Sequence, residues 1–145
     1  MKYKIDWPGK SYLYNQEEIL AVVDVMRNAD TLTQGEYLNE FEKTFSHYIG
    51  ASNCFGVTNC THALELVADL IGLGADDEVI IPGHTYCATA IPFGRTGAKI
   101  CWWDIDPENF QISLASIKKL TTEKTKAIIV VHLYGLIGNI EEIAE

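Results

Sequence analysis

Apolar positions in the first fifty residues recur at helical spacing. After Gly50 they gather into short continuous runs. Ile19, Val22, Val23 and Met26 lie three and four apart and form one apolar stripe on a helix. Asn15 precedes the stripe and Glu18 follows three residues on, the pairing of a capping box, so a first helix is predicted from about Gln16 to Arg27. Leu38, Phe41, Phe45 and Tyr48 share the face of a second amphipathic helix over 36–49, which Gly50 ends. Between them TLTQG, residues 31–35, is a polar connector without periodicity.

The later runs are CFGVT (54–58), EVIIP (78–82), KICWWD (99–104) and KAIIVVHL (126–133), read as strands. They alternate with helical stretches at about 61–71, 86–94 and 113–120, and GNIEEIAE opens one more. This alternation defines an α/β fold of βαβ units. Strands as uniformly apolar as AIIVV suit a mostly parallel sheet with helices on both faces. The longest apolar run, Ala127 to Val131, is too short to cross a bilayer, and MKYKIDWPGK lacks a signal-peptide core. A cytoplasmic protein without membrane partners is expected.

Composition narrows the candidate chemistry. The 145 residues are 48% hydrophobic and 21% charged, as in a soluble globular domain. Eleven Lys and Arg against 20 Asp and Glu give a net charge of -9, which opposes nucleic-acid binding by bulk attraction. Any anion must therefore be held by a local site. Cys54, Cys60, Cys87 and Cys101 show no CxxC or Cys/His ligand spacing and are read as reduced thiols.

Three segments carry candidate sites. FGVTNCTHALEL (55–66) reads as a strand, a tight turn at Asn59 and Cys60, and a helix from near Thr61. Unpaired N–H groups and the positive end of the helix dipole suit a phosphate there, with the Thr61 hydroxyl as a further donor; a plain N-cap has the same residues. EVIIPGHTYCATA (78–90) delivers His84, Thr85 and Tyr86 to the carboxyl edge of the sheet, where ligands of open α/β folds bind. Tyr86 then either stacks on a planar cofactor or packs in the core, and His84 either bonds a ligand or is solvated. His132 and Tyr134 stand at another such strand end. Asp104, Asp106 and Glu108 are read as solvated turn carboxylates rather than a metal site, because an EF-hand's Gly and distal Glu are missing. The turn VTNCTHAL is no GxGxxG fingerprint, and no Walker A, GxSxG or HExxH sequence is present.

Together LTQGEYLNEFEKTFSHYIG (32–50), VTNCTHALEL (57–66), GADDEVIIPGHTYCATA (74–90), GAKICWWDIDPENFQI (97–112) and TKAIIVVHLYG (125–135) resemble the N-terminal part of the DegT/DnrJ/EryC1/StrS family. Those are sugar aminotransferases that use pyridoxal 5'-phosphate (PLP) on the type I, aspartate aminotransferase-like fold. The resemblance implies an N-terminal helical segment over 1–50 and the first part of the PLP-binding large domain over 51–145. It assigns the PLP phosphate to Asn59, Cys60 and Thr61, with Cys60 in place of the commoner glycine, so the backbone contact requires a turn without positive φ. It places Tyr86 on the pyridine ring, and Thr33, Gln34, Gly35 and Tyr134 on the substrate side.

The implied reaction moves an amino group from an amino acid such as glutamate to a keto-sugar nucleotide, in a homodimer. Family members are over twice as long. Their cofactor-binding lysine and the aspartate that pairs with the pyridine nitrogen map beyond residue 145, so no catalytic residue is assigned and the chain by itself is expected not to transaminate. A sugar dehydratase of the same family, with histidine for that lysine, and a non-catalytic fragment that binds a relative are the alternatives. CFGVT is expected to pair with strands that come later in the family sequence, so the isolated chain is expected to associate.

Overall fold

A computed structural model describes residues 13–31, 33–107, 110, 114–137 and 140–144. They fall into two compact units, Met1–Gly56 and Val57–Glu145. In the first, α1 (Gln16–Asn28) opens with the predicted capping box. Asn15 Oδ1 accepts from the Glu18 N–H at 2.9 Å, and the Glu18 carboxylate accepts from the Asn15 N–H at 2.7 Å. The second helix, α2 (Glu36–Ile49), stops at Gly50, whose φ of 70° is left-handed and strained for any L side chain.

Asp24 accepts from the Asn28 side-chain amide within α1 at 2.6 Å and joins the two helices by accepting from the Tyr37 hydroxyl at 2.9 Å. That bond, followed by weaker desolvation, holds the Tyr37 phenol above its ordinary range. Beyond α2, the Gly56 N–H donates to the Glu42 carboxylate at 2.7 Å. A Cβ on Gly56 would lie 2.6 Å from Leu38 Cδ1, so a larger residue there requires the Leu38 side chain to shift. In the apolar stripe of α2, Phe41, Phe45 and Tyr48 are exposed and Leu38 is half-buried, with Phe41 and Phe45 stacked at 5.6 Å.

Residues 54–58, predicted as a strand, form none. An apolar run becomes a strand only beside a partner's hydrogen-bonding edge, and no described residue pairs with this one.

The second unit runs α3 (Cys60–Ile71), β1 (Glu78–Pro82), a 3₁₀ turn (Cys87–Thr89), α4 (Ile91–Arg95), β2 (Lys99–Trp103), α5 (Leu114–Leu120), β3 (Thr125–Ile128), a 3₁₀ turn (Leu133–Gly135) and α6 (Ile140–Ala144). The strands form a parallel sheet in the order β2-β1-β3. All five residues of central β1 are buried. Its side chains alternate between two cores. Val79 and Ile81 pack with Ala68 of α3 and Phe93 of α4, while Ile80 packs with Trp103 and with Ile117 of α5. Helices thus cover both faces, as the continuous apolar runs implied.

Two element lengths differ from expectation. The strand β3 is Thr125–Ile128, so the run 126–133 contributes only its first three residues, with one further bond from the Ile129 N–H to the Ile80 carbonyl at 2.8 Å. Backbone groups of successive strand residues face opposite neighbours: Ile80 faces β3, and the Gly83 N–H bonds the Trp103 carbonyl on the β2 side at 2.9 Å. Pro82 therefore falls on the β3 side with no N–H to give, and the β1–β3 ladder ends there. The helix expected at 86–94 is split into the 3₁₀ turn and α4. Pro92 occupies the first turn of α4, the one place where a helix tolerates the missing donor, so the α-helix has to start beside it.

At the amino end of the sheet, buried Glu78 accepts from Lys99 Nζ on one oxygen and from the Thr122 hydroxyl on the other, each at 2.7 Å. These two bonds, Lys99 first, hold its carboxyl below the ordinary range against an opposing desolvation.

Candidate functional site at the carboxyl edge of the sheet

The phosphate candidates converge at the start of α3. Asn59 is the N-cap, with extended backbone, and its Oδ1 accepts from the His62 N–H at 2.9 Å. The Ala63 N–H bonds the Asn59 carbonyl at 3.2 Å. Helix geometry leaves the Cys60 and Thr61 amides without an intrahelical acceptor. Cys60 is the first residue of α3 and is absent from the positive-φ residues, so the turn does not need the glycine that the family commonly places there. The N-cap and open amides coexist: capping uses one donor and leaves two. Cys60 is exposed and Thr61 half-buried, which keeps both reachable.

Tyr86 lies outside the core at 73% exposure, and the 3₁₀ turn that follows it packs against α3 and α4. A Thr85–Thr89 hydroxyl bond of 3.0 Å closes that turn. His84 sits beside two rings, Phe110 at 6.2 Å and Tyr134 at 6.0 Å between centroids. The loops after all three strands thus meet at one edge. Phe110 and Tyr134 have φ of 58° and 59°, a left-handed conformation rare for bulky side chains and frequent at binding sites. Phe110 was not among the sequence candidates, since nothing in DIDPENF signals that backbone.

In the first unit, Thr31 Oγ1 accepts from the Thr33 N–H at 3.2 Å and donates to the Thr33 carbonyl at 2.9 Å. Gln34 has φ of 51°, and Gly35 is the N-cap of α2. The four cysteines are free thiols, Cys60 and Cys87 exposed, Cys54 and Cys101 half-buried.

One network escaped the sequence reading. Asn59 Nδ2 donates to Thr58 Oγ1 at 3.3 Å, and Thr58 Oγ1 is hydrogen-bonded to His62 Nδ1. With the Asn59–His62 capping bond, Thr58, Asn59 and His62 close a ring of three bonds. His62 Nε2 lies 3.9 Å from the Glu65 carboxylate, whose other oxygen accepts from Arg95 Nη1 at 3.0 Å. The i, i+4 spacing of Thr58 and His62 across a cap was the available signal.

The profile of the DegT/DnrJ/EryC1/StrS aminotransferase family matches residues 13–145. The chain belongs to that family. It is 38% identical over 117 residues to UDP-2-acetamido-2-deoxy-3-oxo-D-glucuronate aminotransferase of Pseudomonas aeruginosa, covering 77% of this chain and 33% of that protein. The PLP form of the sugar aminotransferase Spr1654 from Streptococcus pneumoniae, described as putative, superposes with a TM-score of 0.84 at 31% identity, over 90% of this chain and 33% of that one. GDP-4-keto-6-deoxy-D-mannose-3-dehydratase of E. coli with bound hydrated PLP gives 0.87 at 28%, over 97% and 38%. The fold is that of these PLP-dependent enzymes, and the chain spans about a third of the length of the curated relatives it matches.

Proposed function

We propose that this chain supplies the phosphate cradle and ring-stacking wall of a PLP-dependent aminotransferase acting on a keto-sugar nucleotide, with an amino acid such as glutamate as donor, in surface-polysaccharide or natural-product sugar synthesis. The observation that carries this reading is Cys60 in ordinary helical conformation, with open amides at α3 beside the turn led by exposed Tyr86. PLP, when bound, provides the electron sink for amino-group transfer. The Cys60 and Thr61 amides with the Thr61 hydroxyl hold its phosphate, Tyr86 covers its ring, and His84 and Tyr134 face the substrate side. No residue of this chain is assigned the covalent step.

The exposed aromatic stripe of α2 supports a homodimer. A cytoplasmic location accords with the described helices, none of which is long and apolar enough to cross a membrane. Likeness to the E. coli dehydratase supports a sugar dehydratase as the second reading. PLP titration followed by fluorescence, with phosphate-free pyridoxal as control, tests the cradle. Thr61→Val is expected to weaken PLP about tenfold, the effect of one charge-assisted hydrogen bond, and to leave pyridoxal unchanged. Equal affinity of Thr61→Val and the parent chain for PLP would remove Thr61 from the site.

A further inference from the structure

We propose that His62 is a positioning residue of the phosphate turn: its Nδ1 decides whether the Thr58 hydroxyl points inward to the ring or outward to a bound oxyanion. The inference rests on the reading of the 59–61 turn as an anion site. Thr58 Oγ1 has one hydrogen to donate and two lone pairs. One lone pair is taken by Asn59 Nδ2. With a neutral ring whose Nε2–H faces Glu65, Nδ1 is an acceptor, and the Thr58 hydrogen is used within the three-residue ring. With a protonated ring, Nδ1–H donates to the second lone pair. The Thr58 hydrogen is then released, and a positive charge is added three residues from the N-cap.

Both changes favour an oxyanion, so proton uptake and anion binding reinforce each other. The ring is 55% exposed, which leaves it open to protons from solvent. Charged or titratable side chains on the elements packed there are Glu65 and Asp69 of α3, Arg95 of α4, and the Cys60 and Cys87 thiols; of these, Glu65 approaches the ring at 3.9 Å.

Sulfate, whose charge is constant over this interval, is the probe, titrated into the isotope-labelled full chain at about pH 8 and about pH 5.5, on either side of ordinary histidine protonation. The Cys60 and Thr61 amide resonances are expected to shift saturably, with about tenfold higher affinity at the lower pH, and the His62 ring should titrate at higher pH when sulfate is present. His62→Asn keeps a polar atom at the Nδ1 position but takes up no proton, so its affinity should be the same at both values. It also separates His62 from His84 and His132. Thr58→Val should keep only the charge part of the step.

A full pH step in His62→Asn or Thr58→Val, or equal affinities of the parent chain at both values, would overturn the inference while leaving the anion turn intact. The absence of any saturable shift at Cys60 and Thr61 would instead overturn the anion turn itself, and this inference with it.

Discussion

Asn59 uses its side chain to cap α3 and to anchor Thr58, while the two amides after it stay open. One short motif therefore caps a helix and still leaves two N–H donors open. That combination explains why the sequence alone left capping and phosphate binding unresolved: both need a polar residue before a helix. Whether Cys60 could stand for glycine depended on a backbone angle that no composition encodes. At Tyr86 the reverse holds, since its strand-end position was legible but its exposure was not. If the ring stacks on PLP, Tyr86→Ala should loosen the cofactor and shift its absorption, whereas Tyr86→Phe should retain most binding. Dialysis retention and absorbance spectra check this, and equal damage by both substitutions would assign the role to the hydroxyl.

Among the elements, α1, α2, α3 and β1 lie within a residue or so of their predicted bounds because local signals set them: the Asn15 box, Gly50, the Asn59 cap and Pro82. Strand 54–58 and the far half of 126–133 were overread, because pairing depends on neighbours and on one missing proline donor. The start of the helix expected at 113–120 includes residues outside those described. The Glu78 clasp joins the starts of β1 and β2 to the α5–β3 loop through Lys99 and Thr122. A carboxyl held low in the folded state stabilises at pH above the unfolded value, and the contribution is lost as pH falls through the lowered one. Glu78→Gln should therefore lower the Tm at neutral pH, and the gap should close on acidification below about pH 4.5. A Tm difference that persists undiminished in acid would show that shape, not charge, is what Glu78 provides.

At the scale of the whole molecule, burial is uneven. Neither α1 nor α2 contains a buried residue, while β1 is buried throughout. Amide exchange should be slowest in β1 and fast in both N-terminal helices. Phe93→Ala, which empties the core between α4 and the sheet, should destabilise the second unit by about 3–5 kcal/mol and leave exchange in α1 and α2 unaltered. Matching acceleration in the two helices would show that the units unfold as one. The placement of the thiols gives the site a chemical footprint of its own. Cys60 opens α3 and Cys87 directly follows Tyr86, both exposed, whereas Cys54 and Cys101 are half-buried. A thiol reagent applied with and without PLP should be slowed at the first pair and indifferent at the second, so that peptide mapping reports occupancy residue by residue without any turnover.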